Sequence, residues 1–555
     1  MPPLKAEKNK NGVWPLILGP FIIMENIEIS FPTIGEVVRE IFNCSGLLPQ
    51  KEDPNNSILS ANDKKTLQMQ LKRLADESSK IDGKLEELLD TLKKLLIKAV
   101  PNERVACMIM EFVEELLGNY KVVLKDDGTY LDKKKAAQWF IKVYLLDRLV
   151  VSFYKNYLRF NVVDEELNIP DLISWVLPET NSKKTTWPLA HAWKLIYSSL
   201  SISQLAFHYP DKIKEDNKAT QNLDNAQRWV AGKQLPSISS LYANLDYSLE
   251  LLNKSKDAKT HRVVNAKQVN EFKLILFIAR AATFFFKKLQ KSFGDDFLLN
   301  VCTHIKGQSG RLLRINKKIG KDLDLIKANY TDLTTEEIDE INFKHVSRCW
   351  QNNAIKQEKG ALLLQEYIEA DAFKDLSERE AAMVRISCVG SFQAYRILEA
   401  EKFNTLENMP TLFPEFLVKG LELKKRITSL SQAKGYEKKL KDKGLEEILG
   451  WLSYWCYANF YYRNEDNENA NVFYKKAFTK AKYSAGKNQY TLVNQYIESC
   501  AKSNKYKDMK KAVAWANYLG LKVRWLRGWD DPESEESLKG LFNLMGQDKF
   551  RYVQL

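Results

Sequence analysis

Histidine is scarce in this chain, which has only five in 555 residues. No two of them are four residues apart and none stands beside a cysteine, so the spacing of a zinc site is missing. The Gly-x-Ser-x-Gly nucleophile motif and the glycine pattern of dinucleotide-binding folds are also absent. We therefore expect no metal, no cofactor and no enzymatic activity, and an unrecognised enzyme remains only a second alternative.

Cysteine is equally uninformative as a source of chemistry, because the seven cysteines are scattered singly along the chain. An odd number without paired spacing disfavours a secreted, disulfide-bonded protein. The longest early apolar run, residues 13–24, is too short to span a bilayer and is interrupted by Pro15, Gly19 and Pro20. We expect a cytoplasmic protein without membrane insertion.

Glycine and proline are also few, whereas 45% of the residues are apolar and 28% are charged. This composition excludes global disorder and fibrous repeats. Apolar residues recur at helical spacing along most of the chain, as in residues 62–98, which predicts helices packed within a domain in preference to a coiled coil. One β-hairpin is predicted at Asp127-Gly128. The fold expected is all-α, elongated and multi-lobed.

Breaks in the pattern divide the chain into four predicted segments. These are an N-terminal helical domain containing the hairpin, a central basic lobe, a helical connecting region and a C-terminal helical-repeat region. Their bounds are residues 1–180, 181–330, 331–443 and 444–555.

Positive charge is concentrated in the central lobe. Residues 254–321 contain sixteen Lys and Arg and four acids, a local excess of twelve charges, close to the +13 of the whole chain. A polyanion binds a basic face, and the uneven distribution predicts one here.

Within that stretch, Lys273, Arg280 and Lys287 recur every seven residues on an otherwise apolar helix. Two interpretations stand equally. The long side chains reach solvent from a buried helix, or they form a stripe that faces phosphate.

Further along, two glycines and a serine at residues 307–310 precede Arg311, Arg314, Lys317 and Lys318. The segment is similar to a phosphate-gripping loop but lacks the Gly-Lys-Ser/Thr ending of a nucleotide-binding P-loop, so nucleotide hydrolysis is rejected. The four basic residues are predicted to contact nucleic-acid backbone, with an ordinary exposed basic helix as the alternative.

A local pattern at residues 224–237 combines Trp229, a Gly-Lys pair and a Pro-Ser pair that starts another helix. It resembles the recognition helix and following turn of phage-repressor helix-turn-helix proteins over about twenty-five residues. The resemblance implies that Asn225, Gln227 and Arg228 face the major groove and that Lys233 reaches phosphate. A charged insertion at residues 211–218 separates this segment from a supporting helix at residues 201–207, which is a departure from the family.

The C-terminal region resembles tetratricopeptide repeats. The residues on this spacing are Tyr454, Tyr457, Ala458, Tyr461, Ala470, Tyr474 and Ala477. A second, degenerate unit is predicted over residues 490–519. The resemblance implies helical hairpins that dock a protein.

Together these patterns predict a nucleic-acid-binding scaffold or regulator, such as a subunit of a bacterial nucleoprotein or defence assembly. It would hold DNA or RNA through its central lobe and recruit a protein through its C-terminal helices. The alternative is a protein-only adaptor whose basic lobe binds an acidic protein surface.

Overall fold

The described part of the chain is helical almost throughout, and the predicted all-α class is confirmed. Its one sheet is an antiparallel pair of strands, Glu179–Asn181 (β1) and Lys184–Thr186 (β2). The computed structural model describes residues 29–47, 61–75, 81–126, 128–129, 131–146, 148–154, 173–181, 184–210, 217–254, 264–338, 340–342, 344–345, 413–523, 526, 531 and 534–547.

The hairpin predicted at Asp127-Gly128 is wrong. A helix occupies Glu103–Asp126 up to that point, because Tyr120 and Val123 continue its buried face instead of starting a strand. Asp127 lies outside the described residues, and Gly128 forms a single β-bridge with a distant segment.

The N-terminal helices pack against one another in sequence order. The leucines predicted to form an amphipathic face, among them Leu67, Leu71, Leu88 and Leu92, are buried in the common core, so packing within the domain is confirmed. The elements are α1 (Ile34–Ser45), α2 (Ala61–Ala75), α3 (Ile81–Ala99), α4 (Glu103–Asp126), α5 (Lys133–Trp139) and the π-helical segment Phe140–Leu145.

The central helices surround one long apolar helix, α11, which packs against α1, α7, α10 and α12. A second, smaller core lies between the apolar face of α12 and residues 141–154, where Asn316 Nδ2 on α12 also donates to the Tyr154 carbonyl at 2.8 Å. The helices are α6 (Ile173–Val176), α7 (Pro188–Ser199), α8 (Gln204–His208), α9 (Asn217–Val230), α10 (Ile238–Lys254), α11 (Ala266–Phe293) and α12 (Asp295–Asn329).

The C-terminal helices form a repeat-like array in which each packs on the next. Ala458, Ala470 and Ala477 are fully buried where helices approach closely, as the small-residue spacing predicts. The helices are α13 (Phe413–Arg426), α14 (Leu430–Asp442), α15 (Glu446–Arg463), α16 (Asn467–Ala481), α17 (Asn488–Lys502), α18 (Tyr506–Leu519) and α19 (Glu535–Met545).

The array includes α13 and α14, since both pack on α15. These two helices belong to the predicted connecting region, residues 331–443, while the four-part division itself stays a prediction.

The array also docks onto the N-terminal helices. Helix α18 packs on α3 and α4, and Gln489 Nε2 donates to the Leu124 carbonyl at 2.7 Å. The Phe31 amide donates to the Tyr483 carbonyl at 2.8 Å, and buried residues of the N-terminal helices and of the array belong to one core. Among the residues described, no helix is long and apolar enough to cross a membrane.

Candidate nucleic-acid interface

Helix α9 and the turn after it are fixed by one buried aromatic side chain. Trp229 is 4% exposed, and the chain then reverses at Gly232 with φ +68°. A Cβ at Gly232 would overlap the Trp187 ring, so glycine meets both the conformation and the space. Ser237 Oγ accepts from the Ser240 amide at 3.1 Å and starts α10.

The solvent face of α9 is polar. Gln227 and Arg228 are exposed, whereas Asn225 is half-buried at the edge of that face. Gln221, Asp224 and Arg228 share this face at the spacing i, i+3, i+7. Gln221 and Asp224 are not among the predicted contact residues, although the helical period identifies them. Lys233 is exposed just after the turn.

A buried hydrogen-bond network joins α7, α8, α9 and α10 beneath this face. The His208 ring nitrogens lie 2.8 Å from Tyr197 Oη and 2.8 Å from Ser248 Oγ, and Asn222 Nδ2 donates to the same serine at 2.8 Å. Burial lowers the pKa of His208 from 6.5 to about 3, so its imidazole is neutral. The network orients α9 through neutral groups.

Arg280 leaves the predicted phosphate stripe because its side chain points inward. It is 6% exposed, and its Nε donates to the Pro236 carbonyl at 3.1 Å. Its Nη1 donates to the carbonyls of Asn43 at 2.9 Å and Cys44 at 2.8 Å, at the end of α1. Arg280 therefore joins α1 to the turn that precedes α10.

The other two residues of the stripe also have protein partners. Half-buried Lys287 donates to the Gly232 carbonyl, and burial lowers its pKa. Lys273 Nζ lies 2.9 Å from Asp246 Oδ2 on α10. The heptad spacing thus places three cations along one side of α11, where they hold neighbouring elements.

The loop predicted at residues 307–310 is wrong, because these residues lie inside α12, a continuous helix of 35 residues. Its apolar side chains, such as Leu312 and Ile319, keep the helix packed across the glycines. Gly307 and Gly310 lie on the solvent side, and a Cβ at either would meet open space.

The solvent face of α12 carries a compact group of cations. Arg314, Lys317, Lys318 and Lys321 are all exposed, and none forms an ion pair with any residue that the structure describes. No acid occurs in residues 297–321. Like charges three and four residues apart destabilise a helix by about 0.2 to 0.5 kcal/mol per pair, so the four cations repel one another at a cost to the stability of α12. The side chain of Arg311 lies outside the described part of the structure.

The predicted residues therefore separate into two exposed sets and one internal set. Gln227, Arg228 and Lys233 lie together where α9 ends, and Arg314 lies with its lysine neighbours on α12. The internal set on α11 contacts the turn after α9 through Lys287.

The described residues contain no group of three or more His, Cys, Asp and Glu side chains placed to hold a metal ion. Comparison of the chain with protein-family models, with curated proteins and with solved structures gives no match.

Proposed function

We propose that the protein binds nucleic acid through the cations on the solvent face of α12 and docks a protein partner on its C-terminal array. The observation that carries the proposal is the cluster Arg314, Lys317, Lys318 and Lys321, exposed and without ion pairs among the described residues. Phosphate groups relieve such repulsion, and neutralising them releases the counterions that give nucleic-acid binding its affinity.

Helix α9 supplies sequence preference in this proposal. Gln227 and Arg228 project from an ordered helix into solvent, and these side chains suit adenine and guanine edges. Around the helix, Asp224 lies between them. Its negative charge repels phosphate from the middle of the face, and its carboxylate is able to accept a hydrogen bond from cytosine. These side chains support a base-reading role for α9, as in a helix-turn-helix.

The test is a salt titration of the full chain with labelled duplex and single-stranded DNA and RNA. Replacing Arg314, Lys317 and Lys318 by alanine removes three phosphate contacts. We expect the slope of log affinity against log salt to fall by about 2.7 for a duplex. Replacing Gln227 and Arg228 by alanine should instead reduce the difference between sequences.

A matched control removes three exposed lysines from the C-terminal array, Lys434, Lys441 and Lys476. It changes net charge as the α12 triple variant does, and we expect it to bind nucleic acid like the wild type. Absence of binding at low salt, or equal loss in both triple variants, would overturn the proposal. Absence of binding would favour the protein-only adaptor, in which the α12 cations meet an acidic protein surface.

A further inference from the structure

The C-terminal array has a groove whose floor is a row of tyrosines. Tyr454, Tyr457 and Tyr461 lie on one face of α15 at the spacing i, i+3, i+7. Helices α14 and α16 form the two walls of the groove, and Tyr457 contacts both. Its hydroxyl donates to Glu437 Oε2 on α14 at 2.5 Å, and its ring centroid lies 4.8 Å from that of Phe473 on α16. We call this surface the α14–α16 groove.

The Phe473 ring in the groove is covered by neighbouring groups. Phe473 is stacked with Tyr457 at an interplanar angle of 16° and with Tyr461 at 12°, and Lys476 Nζ lies 5.0 Å from the Phe473 centroid. Tyr454, Tyr461 and Phe473 remain half-buried. These contacts make Phe473 a poor platform for a nucleobase, whereas tyrosine hydroxyls and ring edges remain for other contacts.

Lysines form both walls of the groove. Lys434 and Lys441 on α14 share the helix face of Glu437, at spacings of three and four residues. On α16, Lys476 and Lys480 share the face of Phe473, and all four lysines are exposed.

Acids among the described residues neutralise little of this positive charge. Lys480 Nζ lies 3.5 Å from Glu447, whereas Lys434, Lys441 and Lys476 form no ion pair with any described residue. The one acid on the facing walls, Glu437, is bound by the Tyr457 hydroxyl, and burial together with this bond raises the pKa of Tyr457. The groove is thus positive along both sides with an aromatic floor.

We infer that the α14–α16 groove docks an acidic segment of a partner protein, with carboxylates on the lysine walls and apolar side chains against the tyrosine edges. Opposite charge selects this occupant, and the covered Phe473 ring disfavours single-stranded nucleic acid. The acid Glu535 of the chain itself is held elsewhere, by Lys510 and Tyr506. This inference rests on the docking half of the proposed function and is independent of nucleic-acid binding.

The experiment measures binding of labelled peptides to the full chain by fluorescence polarisation. The peptides have identical leucines at every third position and differ only in having Glu, Gln or Lys between them, and oligo(dT) and oligo(U) are measured beside them. We expect the glutamate peptide to bind roughly tenfold more tightly than the glutamine peptide, with an affinity that falls as salt rises.

Variants then locate the binding. K434E/K476E reverses one charge on each wall, and we expect it to weaken the glutamate peptide roughly tenfold. K507E/K511E makes the same charge change at exposed positions of α18 and should leave the affinity unchanged. The α12 triple variant should lower duplex binding and leave the peptide unaffected, so the two halves of the proposed function fail separately.

Three outcomes would overturn the inference. These are no binding of the glutamate peptide at low salt, equal loss in both charge-reversal variants, and oligonucleotide binding that K434E/K476E abolishes while the peptides do not bind. Circular dichroism spectra of each variant matching the wild type exclude unfolding as the cause.

Discussion

Arg280 stays charged inside the protein because three backbone carbonyls surround its guanidinium. Burial lowers its pKa only to about 10, so it is protonated at neutral pH. Gly46 belongs to the same arrangement, since a Cβ there would overlap the guanidinium and its φ of +70° is left-handed. The buried arginine at position 280 therefore requires glycine at position 46.

Replacing Arg280 by leucine should lower the free energy of unfolding by about 3 kcal/mol, because the carbonyls of Pro236, Asn43 and Cys44 lose their donor in a buried place. Urea denaturation measures the change. Arg314→Leu, at an exposed position, is the control and should stay within about 0.5 kcal/mol of the wild type. Equal effects of the two changes would contradict the assignment of Arg280.

His208 should make stability depend on pH. Its folded-state pKa of about 3 lies below the value of 6.5, so as pH falls the unfolded chain binds the proton first. This contribution is therefore fully present above about pH 6.5 and is lost as pH falls toward 3.

Between about pH 7 and about pH 5, we expect the wild type to lose about 2 kcal/mol more stability than His208→Gln. Urea denaturation at each pH gives the difference, and His191, whose pKa is also lowered by burial, is present in both proteins and cancels. Parallel pH profiles would show that His208 does not titrate in this way.

At the scale of single elements, glycine has opposite roles in two helices. Gly307 and Gly310 on α12 have open space at the Cβ position, whereas a Cβ at Gly420 on α13 would overlap Tyr436 and Leu452. The first two glycines weaken their helix without serving its packing, and the third permits close helix approach.

Gly307→Ala and Gly310→Ala should each raise the free energy of unfolding by about 1 kcal/mol, and Gly420→Ala should lower it. Thermal melts followed by circular dichroism measure the direction. A shift of the same sign in Gly307→Ala and Gly420→Ala would refute this distinction.

Some features of these elements are predictable from short stretches of sequence, and others are not. Buried Ala458 and Ala470 and the turn at Gly232 follow from short-range spacing. The predictions of a hairpin at Gly128 and of a loop at Gly307 are wrong because each depends on a local glycine. The apolar face of α4 continues up to Asp126, and that of α12 continues past Gly307.

The candidate site divides in the same way. Exposure of Arg228 and Arg314 fits helical period, and the solvent faces of α9 and α12 follow from it. The inward direction of Arg280 depends on carbonyls 44 and more than 230 residues away, and no spacing within α11 reveals them.

At the scale of the whole molecule, backbone and side-chain hydrogen bonds join the N-terminal helices to the C-terminal array. Thr129 donates its amide to the Ser484 carbonyl at 2.9 Å, and Trp515 Nε1 donates to Gln489 at 3.1 Å beside the Leu124 contact. Buried residues between Phe31 and Ala279 and between Phe416 and Met545 therefore belong to one core.

Residues 1–345 and 413–555 co-expressed as separate chains should co-purify through a tag on one of them, because the joined surface is largely apolar. Gln489→Leu, which removes the partner of both Trp515 and Leu124, should reduce the recovered complex. Separate elution of two folded chains would contradict this prediction.

The turn between α9 and α10 is held from below at two points, Lys287 on the Gly232 carbonyl and Arg280 on the Pro236 carbonyl. Its conformational entropy is therefore lost during folding. A ligand that contacts Arg228 and Lys233 meets a turn already in place, so little ordering is left to oppose association.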